Sequence, residues 1–121
     1  WDISYKYAVF NEADTAAIRA IGTPLARFSM DIQATVDAFA KKETHLEGFD
    51  LPDPIAMAVA LEPDLATYHR LHVDVETGDG LCRGQTIVDH LSMTGKVPNV
   101  DVTWTASRER FVAMLNAAVS A

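Results

Sequence analysis

Cysteine is nearly absent: Cys82 is the single one in 121 residues. An internal disulfide is therefore excluded, which fits a reducing compartment and makes the cytoplasm the expected location. Basic residues are also scarce, with 10 Lys and Arg against 17 Asp and Glu and a formal net charge of −7. That balance argues against nucleic acid or an anionic membrane as partner, since either needs a basic face. No apolar run approaches the roughly 18–20 residues of a membrane span, and the first residues lack the pattern of a signal peptide. None of the 6 glycines sits in a strand–G-x-G-x-x-G–helix setting, so no phosphate loop is expected. Internal repeats and low-complexity tracts are missing too. What is present is 49% hydrophobic and 22% charged, ordinary for a globular chain of at most one domain.

Trp1 to Phe10 is rich in aromatic and β-branched residues and reads as a strand or an extended lead-in. An aromatic first residue, with no start methionine, points to processing, trimming or a missing upstream part. Asn11 reads as the N-cap of a helix with Asp14 in its first turn, carried on by Ala16, Ala17, Ile18 and Ile21 and ended by Gly22. Pro24 to Ile32 reads as a strand, and this helix-then-strand order is half of a β/α unit. Asp31 to Lys42 reads as a second helix with Ile32, Val36 and Phe39 on one face, followed by a polar loop from Lys42 to Gly48.

A helix from Asp53 is expected to end before Pro63, because proline turns its predecessor away from helical angles. Ile55, Met57, Ala58, Ala60 and Leu61 leave it apolar almost all round, which predicts burial. Asp64 to Tyr68 makes a short helix or turn. From His69 to Glu76 the pattern alternates, with Leu71, Val73 and Val75 on one side and Arg70, His72, Asp74 and Glu76 on the other. Gly78-Asp79-Gly80 reads as a hairpin turn and Leu81 to Asp89 as the returning strand. Val100, Val102 and Trp104 mark a last strand. Ser107 caps a final helix whose Phe111, Met114, Leu115 and Ala118 fall at i, i+3, i+4 and i+7.

The residue that organises the chemistry is Asp53 in Phe49-Asp50-Leu51-Pro52-Asp53-Pro54. A carboxylate at a helix start can accept the free amides of the first turn, with Pro54 fitting the first helical position. The same carboxylate is placed to hold a hard cation by oxygen. Asp50, three residues earlier, could pair with it, although a solvated loop residue is the plainer reading. Cys82 reads as a structural strand thiol. His69 and His72 fall on opposite faces of a strand, which discounts zinc. Asp74, Glu76 and Asp89 read as solvated strand residues, with a weak cation site as the alternative, and His90 as a surface histidine that could approach a cleft.

Taken in order, Asp53-Pro54, Leu61-Glu62-Pro63-Asp64-Leu65, His72-Val73-Asp74-Val75-Glu76-Thr77, Arg83-Gly84-Gln85-Thr86-Ile87-Val88-Asp89 and Pro98-Asn99-Val100-Asp101-Val102 resemble the C-terminal part of the inosine-uridine-type nucleoside hydrolases. The resemblance covers about residues 49 to 119 well and 12 to 33 loosely. It implies a Ca²⁺ ion that binds the ribose hydroxyls and an attacking water, with Asp53 as a ligand. Many members carry a leaving-group acid, His, immediately before this Asp; Pro52 stands there and has no proton to give. The family's Glu and Asn that bind ribose find no match, Asp2 and Asn11 being the nearest residues.

Nothing in residues 1 to 48 resembles the family's first Asp-rich strand, which supplies most of the metal carboxylates and the general base. Residues 1–121 thus read as the C-terminal segment of a nucleoside hydrolase-like domain whose N-terminal metal-binding half is absent. The expected fold class is α/β, part of a mostly parallel open sheet flanked by helices, with a β-hairpin near the C-terminal end. The implied activity is Ca²⁺-dependent cleavage of ribonucleosides to ribose and base in nucleoside salvage, with this chain alone inactive. The alternative is a truncated, non-catalytic module that pairs its sheet edge with another copy, forming a homo-oligomer.

Overall fold

Side-chain caps start two of the helices in the first half of the chain. The computed structural model describes residues 1–121. They begin with α1 (Asp2–Tyr7), β1 (Val9–Phe10), α2 (Glu12–Ala20), α3 (Pro24–Asp31) and α4 (Ala34–Phe39). A π-helical turn over Ala40–Thr44 continues α4 and ends at His45 with φ 56°. Then come β2 (Phe49–Asp50), α5 (Pro52–Leu61) and a 3₁₀ turn (Pro63–Leu65). The chain finishes with β3 (Ala66–Val75), β4 (Thr86–Asp89), β5 (Val100–Ala106) and α6 (Arg108–Val119). It divides into two compact units, Trp1–Ala66 with Ala106–Ala121, and Thr67–Thr105.

In the first unit, Asn11 and Asp14 form a reciprocal capping box on α2, and Gly22 takes φ +83° just past its end, both as the sequence predicts. Pro24 to Ile32 is a helix, not the expected strand. Thr23 accepts the amide of Ala26 at 3.0 Å and Pro24 fills the first turn, so Thr-Pro is a helix start. Ala26 and Met30 are buried four residues apart while Leu25 and Phe28 face outward, a helical period that the apolar run disguised. The stretch expected to lead in as strand is mostly α1, fixed by buried Ser4, and only Val9 and Phe10 are extended. The helix expected from Asp31 to Lys42 is divided: Asp31 and Ile32 end α3 while Val36 and Phe39 lie in α4, and Ile32, Val36 and Phe39 are all exposed.

The core of this unit gathers around three rings. Phe10 lies 6.3 Å from Phe49 and meets Phe111 edge-on at 6.0 Å. Ile18, Ala26, Met30, Leu51, Ile55, Ala58, Leu65 and Val119 close round them. Ser107 accepts the amide of Arg110 and caps α6, placing Phe111 in this core.

The second unit is a sheet ordered β4-β3-β5. β3 and β4 are antiparallel, with His72 opposite Asp89 and Val75 opposite Thr86. The hairpin is where the sequence places it, but the return strand starts at Thr86; Leu81 is fully exposed and Gly84 takes φ +85°. The other sheet is β1 against β2, also antiparallel, with Val9 opposite Asp50. The expectation of a mostly parallel open sheet is therefore corrected. No helix lies between β3 and β4 to carry a parallel crossover, so β4 returns beside β3 by direct reversal, and β5 pairs with the other edge of β3.

Candidate functional site

Asp53 owes its position to the β1–β2 pair. The amide of Leu51 donates to the carbonyl of Ala8 at 3.0 Å, continuing that pairing into the start of α5. Gly48 makes the approach possible, since a Cβ there would come within 1.8 Å of the Phe10 carbonyl oxygen. On the other flank buried Ser4 has its hydroxyl 2.8 Å from both the Asp50 carboxylate and the carbonyl of Trp1. Asp50 is thus a half-buried strand residue engaged with Ser4, not the solvated loop residue expected, and its carboxylate bonds to Ser4 and not toward Asp53.

The N-cap of α5 is Leu51, with Pro52 and Asp53 as its first two helical residues. The expectation that Asp53 caps the helix is corrected, for a reason visible in the backbone. Pro52 and Pro54 carry no N–H, and the amide of Ile55 already donates to Leu51 at 3.2 Å. No side-chain cap bond forms, because the two prolines have removed most of the donors a cap would serve. Asp53 consequently stands exposed in the first turn, where the helix dipole favours a negative charge, and no donor of the chain occupies its oxygens. Pro52 lies half-buried beside it.

Two arginines, which sequence reading passed over, brace the scaffold. Arg108 donates to the carbonyls of Tyr7 and Val9 at 3.2 and 2.9 Å and to Asp14 at 2.8 Å, with its guanidinium 5.1 Å from the centre of the Phe10 ring. Arg110 grips Glu62 at 2.6 Å and Asp64 at 3.0 Å just beyond α5. The Arg110 guanidinium holds the Asp64 carboxyl below its ordinary value, and Asp64 and Glu62 in turn raise Arg110. Their only signal in sequence is their place in the first turn after the Ser107 cap.

The other candidates are engaged elsewhere. Asn11 is spent in its capping box, and Asp2 lies exposed in the first turn of α1. In the second unit Lys96 lies 2.5 Å from Asp74 and, with His72 on the other side, lowers its pKa. Glu76 accepts the amide of Gly78, and Asp89 accepts the hydroxyl and amide of Thr94 and the amide of Met93, which lower its pKa in turn. His69 stacks on Trp104 at 4.2 Å, His90 meets the same ring at 5.7 Å, and His72 turns instead to the carbonyl of Val97. Cys82 sits exposed in the turn ahead of β4, not within a strand.

A Ca²⁺ ion needs about 6–8 oxygens. No three His, Cys, Asp or Glu side chains of this chain gather to hold a metal. The residues present therefore do not fit a whole Ca²⁺ site, and Asp53 can contribute only one part of one.

Residues 1–113 match the profile of the inosine-uridine preferring nucleoside hydrolases. A pyrimidine-specific ribonucleoside hydrolase of Klebsiella pneumoniae is 31% identical over 115 residues, which are 94% of this chain and 37% of that protein. One from Escherichia coli is 33% identical over the same shares. Among solved structures, a purine-preferring ribonucleoside hydrolase of Gardnerella vaginalis is 27% identical with a TM-score of 0.72, covering 93% of this chain and 36% of that one. A plant nucleoside hydrolase shares the fold with a TM-score of 0.83 at 21% identity, covering 97% of this chain and 39% of that one. The chain thus spans well under half the length of these relatives.

Proposed function

The chain belongs to the inosine-uridine preferring nucleoside hydrolase family, and from that premise we propose that it forms the C-terminal portion of a Ca²⁺-dependent ribonucleoside hydrolase. The substrate class is a ribonucleoside, cleaved at its N-glycosidic bond to ribose and base. Asp53 is the residue this portion contributes to the ion, and the observation that carries the reading is its exposed carboxylate, unoccupied by any donor of the chain, at the start of α5. The remaining oxygens and the general base come from the Asp-rich portion that this chain does not span, so the chain alone is inactive. The named relatives divide between pyrimidine and purine preference, and Pro52 has no proton to give a leaving base, so the leaving-group acid lies elsewhere. No helix is long and apolar enough to cross a membrane; with the lone cysteine, this supports a cytoplasmic enzyme of nucleoside salvage.

The test is a chimera in which this chain replaces the matched stretch of the Klebsiella enzyme. The chimera is expected to hydrolyse ribonucleosides, and Asp53→Asn to lower kcat/KM by about 100-fold, at the upper end of what weakened metal ligation costs. Calorimetry of the isolated chain with Ca²⁺ and ribose should give no saturable heat. An asparagine chimera as active as its parent contradicts the reading. The exposed apolar run Phe28, Ile32, Val36 and Phe39 favours a second reading, a non-catalytic module that self-associates. Light scattering of the isolated chain would then report a dimer.

A further inference from the structure

Residues 90–99 join β4 to β5 without helix or strand, and three sets of contacts fasten them to the sheet. The first half hangs on Asp89, which accepts the amides of Met93 and Thr94. The end is clasped by Asn99: its side-chain oxygen accepts the Val73 amide at 2.8 Å and its Nδ2 donates to the Val73 carbonyl at 3.0 Å, a carboxamide standing in for a strand peptide. Between these two holds, Lys96 and Val97 meet Asp74 and His72. The His72 side chain is only 15% exposed, and both of its ring nitrogens face acceptors. Nδ1 lies 2.9 Å from the Val97 carbonyl, which can only accept, so Nδ1 carries a proton. Nε2 is shut off from water, has no hydrogen-bond partner, and lies 3.1 Å from a carboxylate oxygen of Asp74. A neutral ring would turn a buried lone pair on that oxygen. A second proton makes the same contact an ion pair.

The charges around the ring favour that second proton. Asp89 stands directly opposite His72 on β4, and Asp74 follows it on the same face of β3. Lys96, from the connection, shares the Asp74 oxygen that faces Nε2. Arg70, also on that face of β3, is matched by Asp101 of β5 at 3.1 Å. Two carboxylates against one ammonium leave the surroundings of the ring acidic. We propose that His72 is a proton-operated latch: doubly protonated it ties Lys96 and Val97 to β3, and on losing the Nε2 proton it lets that stretch lift while Asp89 and Asn99 keep hold on either side. A proton bound in the latched form stabilises it on the acid side, and the gain is lost as the pH rises through the His72 titration. At the acid end Asp74 must itself stay ionised, and Lys96 first and His72 second hold its carboxyl below the ordinary 3.8. The latch is therefore closed between the Asp74 and His72 titrations. It uses neither Asp53 nor any step of the proposed hydrolysis.

The test is a pH titration of this chain by NMR that reads the His72 ring nitrogens and the Val97 carbonyl carbon together. Both should move with one midpoint, both ring nitrogens should be protonated on the acid side, and the Asn99 side-chain amide should stay where it is. His72→Asn keeps a donor for the Val97 carbonyl but cannot titrate, so the Val97 response should be lost. Asp74→Asn removes the carboxylate that favours the proton, so the His72 midpoint should move to lower pH. A Val97 carbonyl that stays still while His72 titrates overturns the proposal, as does a Val97 response that survives His72→Asn. A ring with one proton wherever Asp74 is ionised overturns it too, and so does an unmoved His72 midpoint in Asp74→Asn. If His72→Asn does not fold, the two titrations of the parent decide alone: a shared midpoint upholds the latch and separate midpoints overturn it.

Discussion

Gly48 is the residue on which the site's position turns. A methyl group there would strike the Phe10 carbonyl at 1.8 Å and its carbonyl carbon at 2.6 Å, all backbone, so nothing can swing aside. Gly48→Ala is expected to cost at least about 2 kcal/mol in urea unfolding, the scale of forced overpacking, and to disturb the β1–β2 pair with it. A substitution within about 0.5 kcal/mol of the parent would contradict this placement. Glycine reads from sequence only as loop punctuation, because the constraint comes from a strand nearly forty residues away. Asp53 was legible as a candidate; its freedom from any cap was not, since that follows from two prolines acting on a helix whose start is set by pairing to Ala8. Asp50 reads from sequence as a solvated loop residue for a similar reason, its partner Ser4 lying 46 positions off.

Among the elements, sequence reading succeeded where the signal was local and failed where neighbours decided. The Asn11 and Ser107 caps, the Gly22 stop and the last strand all carry their chemistry within a few residues. The apolar run of α3 reads as a strand, although Thr23-Pro24 carries the cap and proline of a helix start. The β3–β4 hairpin is legible in sequence, but its return strand is shorter than the pattern from Leu81 suggests, because Gly84 at φ +85° breaks the extended backbone. The turn after β4 hangs on Asp89, whose lowered pKa comes first from the Thr94 hydroxyl and then from the backbone amides. A depressed folded value means the turn's contribution is complete above the ordinary 3.8 and lost as the pH falls through the lower one. The Met93 and Thr94 amide shifts, followed by NMR, should therefore titrate with a midpoint below 3.8. A midpoint at or above that value would show that the carboxylate is not held.

For the whole molecule, composition excluded more than it assigned, and the parallel sheet it was expected to contain is not there. The motif series carried the family, and the profile match over residues 1–113 bears it out. Two features make sense only at this scale: a core that closes around three phenylalanines, and a helix that stays apolar where it meets water. The first is what the helices of its unit pack around. The second, with a carboxylate lacking companions, supports the proposal that Asp53 serves a metal site whose other ligands lie in the portion the chain does not span. Calcium titration calorimetry of the chimera, with Asp53 and with Asp53→Asn, tests that claim most directly. A saturable one-ion isotherm that the asparagine weakens by at least about tenfold is the predicted result. Superimposable isotherms would contradict it.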